Sequence, residues 1–409
     1  MKILHSSDWH LGSSLHGYKR YEEFEAFLSW LTDLIQDEGI DIFLVAGDIF
    51  DTSTPSNRAL GIYYQFLNRV TSIPNLQVII TAGNHDSPSL LNAPQELLKQ
   101  LRIHVFGSIP ENPGDEIVIL RNARGEPALI VCAVPYLRDR DIRISEPGES
   151  IEEKTRKLEN GVQEHYRQIT GIARSKRDAL GRSIPIIAMG HLFVTGGKTI
   201  NEDGVRELYV GNLARIRAED LCEGADYLAL GHLHVPQTVG GNDTIRYSGS
   251  PLALGFGDAG QDKQVVIIEF GLGDPIIRTH PVPKFRDIRT LKGDISMIEE
   301  EILSLRDLDH PVWIEVIFSG TIPGSTVQTH LNEITKGTNI EIIRVVPQNT
   351  GDPKFCPGEE GESLEDLSVT DVFRRCMVSG DVPEEIRQEL SDSFSEILHE
   401  MSEEDALAE

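Results

Sequence analysis

Apolar residues in the first two thirds of the chain form short continuous runs, and these runs alternate with segments of helical spacing. Runs such as DIFLVAGD and LQVIITAG have the length of strands, whereas YEEFEAFLSWLTDLIQDEG places its apolar residues at helical intervals. Strands that are apolar on both faces are buried between other layers. The pattern therefore predicts an α/β fold whose sheets are covered by helices or by another sheet.

The same alternation continues to about residue 270. Helices are predicted near residues 56 to 70 and 89 to 101, and in a charged segment between residues 151 and 175. Further strands are predicted at MKILHSSD, PALIVCAVPY, IPIIAMGH, YLALGHLH, TIRYSGSP and QVVIIEF.

Glycine and proline accumulate in GLGDPIIRTHPVPKF, where this first pattern stops. We therefore expect a first domain over residues 1–275 and a smaller α/β domain over residues 285–348, with the order strand, helix, strand, helix, strand. Residues 349–362 have the composition of a linker, and residues 363–402 are predicted to be helical.

One face of this predicted C-terminal helix is apolar. Its apolar positions are Ile386, Leu390, Phe394, Ile397, Leu398 and Met401. Such a stripe has the form of a helix that docks on a partner protein, and the alternative is that it packs back onto its own chain.

Length and composition limit the class of protein. A chain of 409 residues has room for two or three domains, and no apolar run approaches the ~20 residues that a membrane span needs. The N-terminus MKILHSSDWH lacks the features of a signal peptide. Cys132, Cys222, Cys356 and Cys376 are widely spaced, which is typical of reduced thiols. We expect a cytoplasmic protein without a membrane segment.

The net charge of -27 is concentrated in the C-terminal part, where 18 acidic and 4 basic residues lie between residues 351 and 409. Proteins that hold nucleic acid unaided normally present a basic surface, since phosphate contacts supply most of the affinity. The charge therefore argues against unaided binding of DNA.

Five apolar strands of the first domain run directly into residues that can bind a metal. Following the strands in order, these residues are Asp8 and His10, Asp48, Asn84 with His85 and Asp86, His191, and finally His232 with His234. Ligands of α/β sheets gather at the carboxyl ends of strands, so we expect these side chains to converge. Taken singly, an aspartate here could cap a helix or a turn, and a histidine could be a hydrogen-bonded structural residue.

Oxygen and imidazole ligands without thiolate favour Mn, Fe or Zn over Mg or Ca. Asp8, His10, Asp48, Asn84, His191, His232 and His234 are too many ligands for one ion. They suit two ions that lie about 3.5 to 4 Å apart and share a carboxylate, an arrangement that grips the attacking and leaving oxygens of a phosphoryl group. Asp48 is the natural bridge. His232 and His234 lie one residue apart on an extended segment, so their side chains point to the same side.

The series SDWHLG, GDIFDT, GNHD, GH and GHLH resembles the calcineurin-like metallophosphoesterase superfamily over roughly residues 1–250. Within it, ILHSSDWHLG, LVAGDIFDTSTPS and AGNHDSP are most similar to the SbcD nuclease family. The resemblance implies a double-β sandwich flanked by helices, a small α/β capping domain and a helical C-terminal tail. It also implies two bound Mn²⁺ ions and cleavage of DNA phosphodiesters.

Carried over by motif, the resemblance divides the ligands between two ions. Asp8, His10, Asp48 and His234 would hold the first ion, and Asp48, Asn84, His191 and His232 the second. His85 is left free of metal, to contact the scissile phosphate and protonate the leaving oxygen. Asp86 is either a residue that orients His85 or a turn or cap residue. No role is transferred to Asp51.

The resemblance also implies partners. An SbcC-like ATPase with a long coiled coil would join a homodimer of this chain in a heterotetramer that processes double-stranded DNA ends and hairpins; the helices near residues 56 to 70 and 89 to 101 are candidates for the dimer contact. One alternative is a metallophosphodiesterase that acts on a small molecule such as a cyclic nucleotide. A second alternative is a structural subunit of an ATPase complex with a weak site.

Overall fold

A computed structural model of the chain describes residues 1–348, except 145, 147, 199–215, 272, 307, 309 and 321, together with residues 373, 377, 387, 390, 391 and 394. The described residues 1–346 form one compact unit, and residues from 347 onward belong to a second. The predicted linker and most of the predicted C-terminal helix lie outside the described residues.

The strands and helices are numbered in chain order. The strands are β1 (Lys2–Ser6), β2 (Ser14–Leu15), β3 (Tyr18–Lys19), β4 (Ile42–Ala46), β5 (Gln77–Thr81), β6 (Ile103–Phe106), β7 (Ile117–Arg121), β8 (Pro127–Ala133), β9 (Ile186–His191), β10 (Tyr227–Gly231), β11 (Gln237–Val239), β12 (Asn242–Tyr247), β13 (Gln264–Glu269), β14 (Ile276–Pro281), β15 (Asp287–Gly293), β16 (Val312–Phe318) and β17 (Ile340–Pro347). The helices are α1 (Tyr21–Asp37), α2 (Asn57–Thr71), α3 (Pro88–Asn92), α4 (Gln95–Gln100), α5 (Asp139–Ile142), α6 (Ile151–Ala179), α7 (Ala218–Leu221), α8 (Ile295–Ser304) and α9 (Gly324–Thr335), and Pro113–Glu116 forms a 3₁₀ helix.

Two six-stranded sheets carry the first part of the chain. The first sheet has the order β14-β13-β1-β4-β5-β6, and the second has the order β11-β12-β10-β9-β8-β7. Strands β1, β4, β5 and β6 are parallel to one another, as are β8, β9, β10 and β12. Antiparallel pairs add the remaining strands, among them β13 beside β1 and β7 beside β8. In both sheets the parallel strands end at the same edge, which sets the place of the site.

The sheets pack face to face. Leu44 of the first sheet and Met189 and Ala229 of the second belong to one buried cluster between them. Residues on the other face of β4, such as Phe43, pack with α1 and α2, and residues on the other face of β9, such as Ala188, pack with α6. Each inner strand is thus covered on both faces, which is why its sequence is apolar without alternation. The predicted α/β double sandwich flanked by helices is confirmed.

Several helices begin where the sequence supplies a side-chain cap. The Ser56 side chain accepts a hydrogen bond from the Ala59 N–H at the start of α2. Ser150 and Glu153 form a reciprocal capping box at the start of α6, which spans 29 residues and confirms the predicted charged helix. Within the described part of the chain, no helix combines the length and the apolar character that crossing a membrane requires.

The small α/β unit also has the predicted element order, β15-α8-β16-α9-β17, with its strands in one three-stranded sheet. Ile302 and Ile314 are among its buried core residues. Trp313 packs on the other side, in a cluster with Leu15 and Ile288. The small sheet therefore contacts the hairpin β2-β3, which follows the first metal-binding motif. The boundaries of the proposed domains stay a prediction.

In the C-terminal unit, the described residues from 373 onward are helical, and the rings of Phe373 and Phe394 stack with their centroids 3.9 Å apart. Of the predicted apolar stripe, only Leu390 and Phe394 lie among the described residues. Cys132 and Cys222 are free thiols, as expected, and the other two cysteines lie outside the described residues.

Candidate metal centre

The loops that follow β1 and β4 are joined by main-chain hydrogen bonds. The Asp8 N–H donates to the Gly47 carbonyl and the His10 N–H to the Asp48 carbonyl, both at 3.0 Å. The second sheet is tied to the first through His191, whose Nδ1 lies 2.9 Å from the Ala46 carbonyl. Since a carbonyl only accepts, Nδ1 carries the proton and Nε2 is the ring atom that faces the site.

Four residues of the site have a left-handed main chain. Asp8, His10, Asp48 and His232 have φ of 54°, 48°, 50° and 99°. Each such non-glycine conformation costs roughly 1 to 2 kcal/mol and persists only where surrounding contacts impose it. The loop after β5 passes so close to Asp48 that only glycine fits at position 83, since a Cβ on Gly83 would lie 2.1 Å from Asp48 Oδ1. Contacts with the surrounding fold therefore hold these residues in a strained main-chain conformation, which directs their side chains into the site.

Asp8, His10 and His234 form one buried cluster whose candidate ligand atoms lie within 4.8 Å of one another. The Nε2 atoms of His10 and His234 are 3.2 Å apart. Asp8 is fully buried, and its Oδ1 accepts a hydrogen bond of 2.8 Å from the His232 N–H. Two ring nitrogens and a carboxylate therefore converge on one point.

Asp48, His191 and His232 form a second buried cluster. Asn84 joins it, because its Oδ1 lies 3.0 Å from both His191 Nε2 and His232 Nδ1. Asp48 Oδ2 lies 3.2 Å from His191 Nε2 in this cluster and 3.5 Å from His10 Nε2 in the other. The structure therefore brings all seven predicted ligands together in two adjacent groups, with Asp48 between them.

The pKa values of the site follow from burial and from close charges. Burial raises the pKa of Asp8 to about 6 and lowers the pKa of His232 to about 3. Burial opposes protonation of His191 as well, but the nearby Asp48 carboxylate raises the pKa of this imidazole to about 9. Buried carboxylates whose ionised form is costly gain most from a cation beside them.

This donor set fits divalent metal ions. Aspartates 8 and 48 are at most 1% exposed, and carboxylate oxygens, an amide oxygen and imidazole nitrogens lie within contact distance of one another. His191 Nε2 and His232 Nδ1 both face Asn84 Oδ1, and these are the ring nitrogens that a metal would use. Nitrogen and oxygen donors without thiolate are typical of Mn, Fe and Zn sites. The two groups can therefore hold two ions.

His85 lies beside the first cluster, with its ring centroid 4.9 Å from that of His10. Its Nδ1 is 2.7 Å from the Asp51 carbonyl, so Nδ1 carries a proton and Nε2 is the ring atom that takes no part in this bond. Burial lowers the pKa of His85, and Asp48 acts against this shift. His10, Asp51 and His85 form a third group of possible ligands, with Asp51 Oδ1 3.5 Å from His10 Nδ1. The sequence alone indicates no role for Asp51, although GDIFDT places it close to Asp48.

The Asp86 carboxylate binds main chain. It accepts hydrogen bonds from the N–H groups of Gly83 at 2.8 Å, Phe50 at 2.9 Å and Ile49 at 3.1 Å. Asp86 thereby joins the loop after β5 to the loop after β4, which is the turn or cap role that the sequence left open. Its predicted participation in catalysis through His85 stays a prediction.

Four residues near the site were missed from the sequence. Ser7 and Ser248 lie behind Asp8, and Ser250 and Lys263 lie behind His234. The available signal was weak: Ser7 adjoins Asp8 in HSSD, and the two other serines follow a strand in YSGSP. No ligand-like residue type marks these positions.

Comparison with known proteins agrees with the geometry. Residues 1–236 match the family described as calcineurin-like phosphoesterase, and residues 284–379 match a family described as type 5 capsule protein repressor C-terminal domain. Three relatives are named as the SbcD component of the nuclease SbcCD. The Escherichia coli K12 protein is 32% identical over 98% of this chain and 99% of its own, the Bacillus subtilis 168 protein 30% over 99% and 100%, and the Rhodobacter capsulatus protein 34% over 69% and 70%. The chain therefore belongs to the calcineurin-like phosphoesterase family, as a dinuclear-metal phosphodiesterase of the SbcD group.

Proposed function

We propose that this chain is a Mn²⁺-dependent DNA exonuclease and endonuclease that works with an SbcC-like ATPase on double-strand ends and hairpins. The observation that carries the proposal is the convergence of seven candidate ligands, six of them buried, into two groups that meet at Asp48. Asp8, His10, Asp48 and His234 would hold one ion, and Asp48, Asn84, His191 and His232 the other. Two ions sharing a carboxylate suit phosphodiester hydrolysis better than a single ion does.

Bound divalent cations supply positive charge that stabilises the attacking and leaving oxygens of a phosphodiester. The chain itself holds the ligands in place through the strained main chain at Asp8, His10 and Asp48. The Asp51 carbonyl accepts from Nδ1–H and so orients His85, and the imidazolium form of His85, which carries a second proton on Nε2, would deliver that proton to the leaving oxygen. Asp86 would act on this step through the main chain, because it fixes the turn that carries His85.

The proposed substrate and partner follow from the relatives and from charge. The relatives are named as subunits of a nuclease complex, SbcCD. A chain with a net charge of -27 gains little from phosphate contacts of its own. A partner that supplies a basic surface would explain how so acidic a chain acts on DNA. The apolar stripe on the predicted C-terminal helix, from residue 386 to residue 401, suits the docking of such a partner.

Several finer statements belong to the same proposal. We assign residues 1–275 to the nuclease domain, 285–348 to a capping and DNA-recognition domain, 349–362 to a linker and 363–402 to the partner-binding helix. The active species would be a cytoplasmic heterotetramer, built on a homodimer of this chain. Imidazole-rich ligation favours Mn²⁺ over Mg²⁺.

The proposal is tested by cleavage of an end-labelled linear duplex in Mn²⁺. The reaction is run with the purified chain, with the chain plus an SbcC-like ATPase and ATP, and with His85→Ala. His330→Ala is the matched control, since His330 lies on α9 and contacts Glu299. Cleavage that depends on His85 and increases with partner and ATP is the expected result.

Two outcomes would reject the proposal. His85-dependent hydrolysis of small diesters without any cleavage of DNA would indicate a small-molecule phosphodiesterase. Full DNA processing by the complex that contains His85→Ala would indicate a structural subunit, with the nuclease elsewhere.

A further inference from the structure

The loop after β12 carries Ser248, which contacts Ser7 in the loop after β1 and so reaches the Asp8 side of the site. Ser7 Oγ donates to Asp8 Oδ2, and Ser7 Oγ lies 2.7 Å from Ser248 Oγ. A hydroxyl has one proton, so Ser7, which donates to Asp8, accepts from Ser248 at 2.7 Å, a shorter contact than the 3.4 Å from Ser248 Oγ to the Gly249 carbonyl. Both serines are fully buried, which leaves this relay without competition from bulk water.

The same loop reaches His234 two residues later. The Ser250 N–H donates to the His234 carbonyl at 3.2 Å, and the Lys263 ammonium donates to the same carbonyl at 3.3 Å. Lys263 is 8% exposed and also donates to Ser250 Oγ at 3.0 Å and to Asp258 at 2.6 Å. A buried ammonium with these partners fixes the main chain from which the imidazole of His234 projects.

The loop between these contacts is held closely. Gly249 has φ of +75°, and a Cβ at this position would lie 2.7 Å from the ring of Pro236. Asp258, the anionic partner of Lys263, accepts from the N–H groups of Leu254 and Gly255 and is fully buried. The support therefore has little freedom to move away from the site.

These contacts are unevenly distributed over the two groups of ligands. Asp8 and His234 belong to the first group, together with His10. In the second group, His191 is held by the Ala46 carbonyl instead. The described contacts of the loop after β12 thus bear directly on the first group, and they reach the second group only through the His232 N–H, which donates to Asp8 Oδ1.

We propose that Ser248 and Lys263 are positioning residues that selectively support the first of the two metal-binding groups, through Asp8 and His234. This inference rests on the proposed two-ion function. Partners that orient the ligands of a metal typically change its affinity by about 10- to 100-fold when they are removed. Loss of either residue should therefore weaken one binding event and spare the other.

The test is a calorimetric titration of metal-free protein with MnCl₂, for the wild-type full chain, Ser248→Ala and Lys263→Met. Lys176→Met is the matched control, because Lys176 also donates to a main-chain carbonyl, that of Gly114, at 2.9 Å and away from the site. Thermal unfolding of the metal-free variants accompanies each titration. If Lys263→Met does not fold, the double variant Lys263→Met with Asp258→Asn removes the buried pair together, and Ser248→Ala tests the Asp8 side alone.

We expect two binding events in the wild-type protein, one of them weakened ~10-fold or more in both variants and both unchanged in the control. Variants that retain both wild-type affinities, or that lose both equally, would overturn the inference and leave the two-ion site standing. A wild-type chain that binds fewer than two ions would instead overturn the two-ion function itself.

Discussion

Replacement of Asp86 by alanine would remove the link between the two central loops of the site. Three main-chain N–H groups, those of Ile49, Phe50 and Gly83, would lose their acceptor at once in a buried setting. The loops that carry Asp48 and His85 would then be held by fewer contacts. We expect loss of stability and, through the misplaced loops, loss of turnover.

The size of the effect follows from these bonds. A hydrogen bond to a charged acceptor contributes about 1.5 to 3 kcal/mol, which gives roughly 5 to 9 kcal/mol if three were additive. Neighbouring bonds are not additive, and burial opposes ionisation of the carboxylate, since it raises the pKa of Asp86 to about 6. We therefore expect Asp86→Ala to lower the free energy of unfolding by ~3 to 5 kcal/mol. Asp86→Asn keeps an oxygen but turns an NH₂ group toward an N–H donor, so it should cost ~2 kcal/mol.

The assay is urea unfolding of the metal-free protein, with hydrogen exchange at the amides of Ile49 and Phe50 as a local measure. Asp33→Ala is the control, because Asp33 is exposed on α1. Equal midpoints for Asp86→Ala and Asp33→Ala, with unchanged protection of both amides, would refute the reasoning. Loss of activity without loss of protection would instead assign Asp86 a direct part in catalysis.

Three further predictions address the ligands, the meeting of the sheets and the thiols. His232→Ala and His234→Ala should each lose one bound ion and most turnover while circular dichroism stays unchanged; a variant with full metal content and full activity would contradict the ligand assignment. Gly231→Ala would place a Cβ 1.9 Å from the Ala46 carbonyl, forcing β10 away from β4, and should cost ~3 kcal/mol, measured as a fall in the melting temperature. Gly61→Ala on α2 is the control, because its new Cβ would meet no atom within 4 Å, and it should raise the melting temperature. Equal changes in melting temperature for the two variants would rule out the clash. Burial raises the pKa of the Cys132 thiol to about 12, so iodoacetamide at pH 8 should modify this residue only after unfolding. Detection of modified Cys132 by peptide mass spectrometry of the native protein would contradict this prediction.

Local sequence patterns were sufficient for most of the fold. Continuous apolar runs predicted the inner strands, and helical spacing predicted α1, α2 and α6. The ligands of the site could be recognised because each follows a strand, and parallel strands end at a shared edge. The family resemblance added the division between two ions, which spacing alone does not supply.

Other features depend on contacts between distant parts of the chain. Ser248 contacts Ser7, the hydrogen-bond donor to Asp8, across 241 positions, and a serine carries no signal of metal chemistry. The main-chain role of Asp86 depends on where the Asp48 loop lies, and no local pattern reveals that. The left-handed conformations of Asp8, His10 and Asp48 oppose the ordinary preference of non-glycine residues, so only the folded surroundings explain them.

The pairing of β1 has a consequence for the way the protein is made. One edge of this strand binds β4, but the other edge pairs with β13, whose first residue is Gln264. At a synthesis rate of 5 to 20 residues per second, roughly 10 to 45 s pass between completion of β4 and arrival of β13. During that interval an apolar strand at the centre of the future sheet has an open edge, which is a template for pairing with other chains. Fragments that end before β13 should therefore aggregate. In the full chain, the open edge of β1 is covered only when β13 pairs with it, late in synthesis.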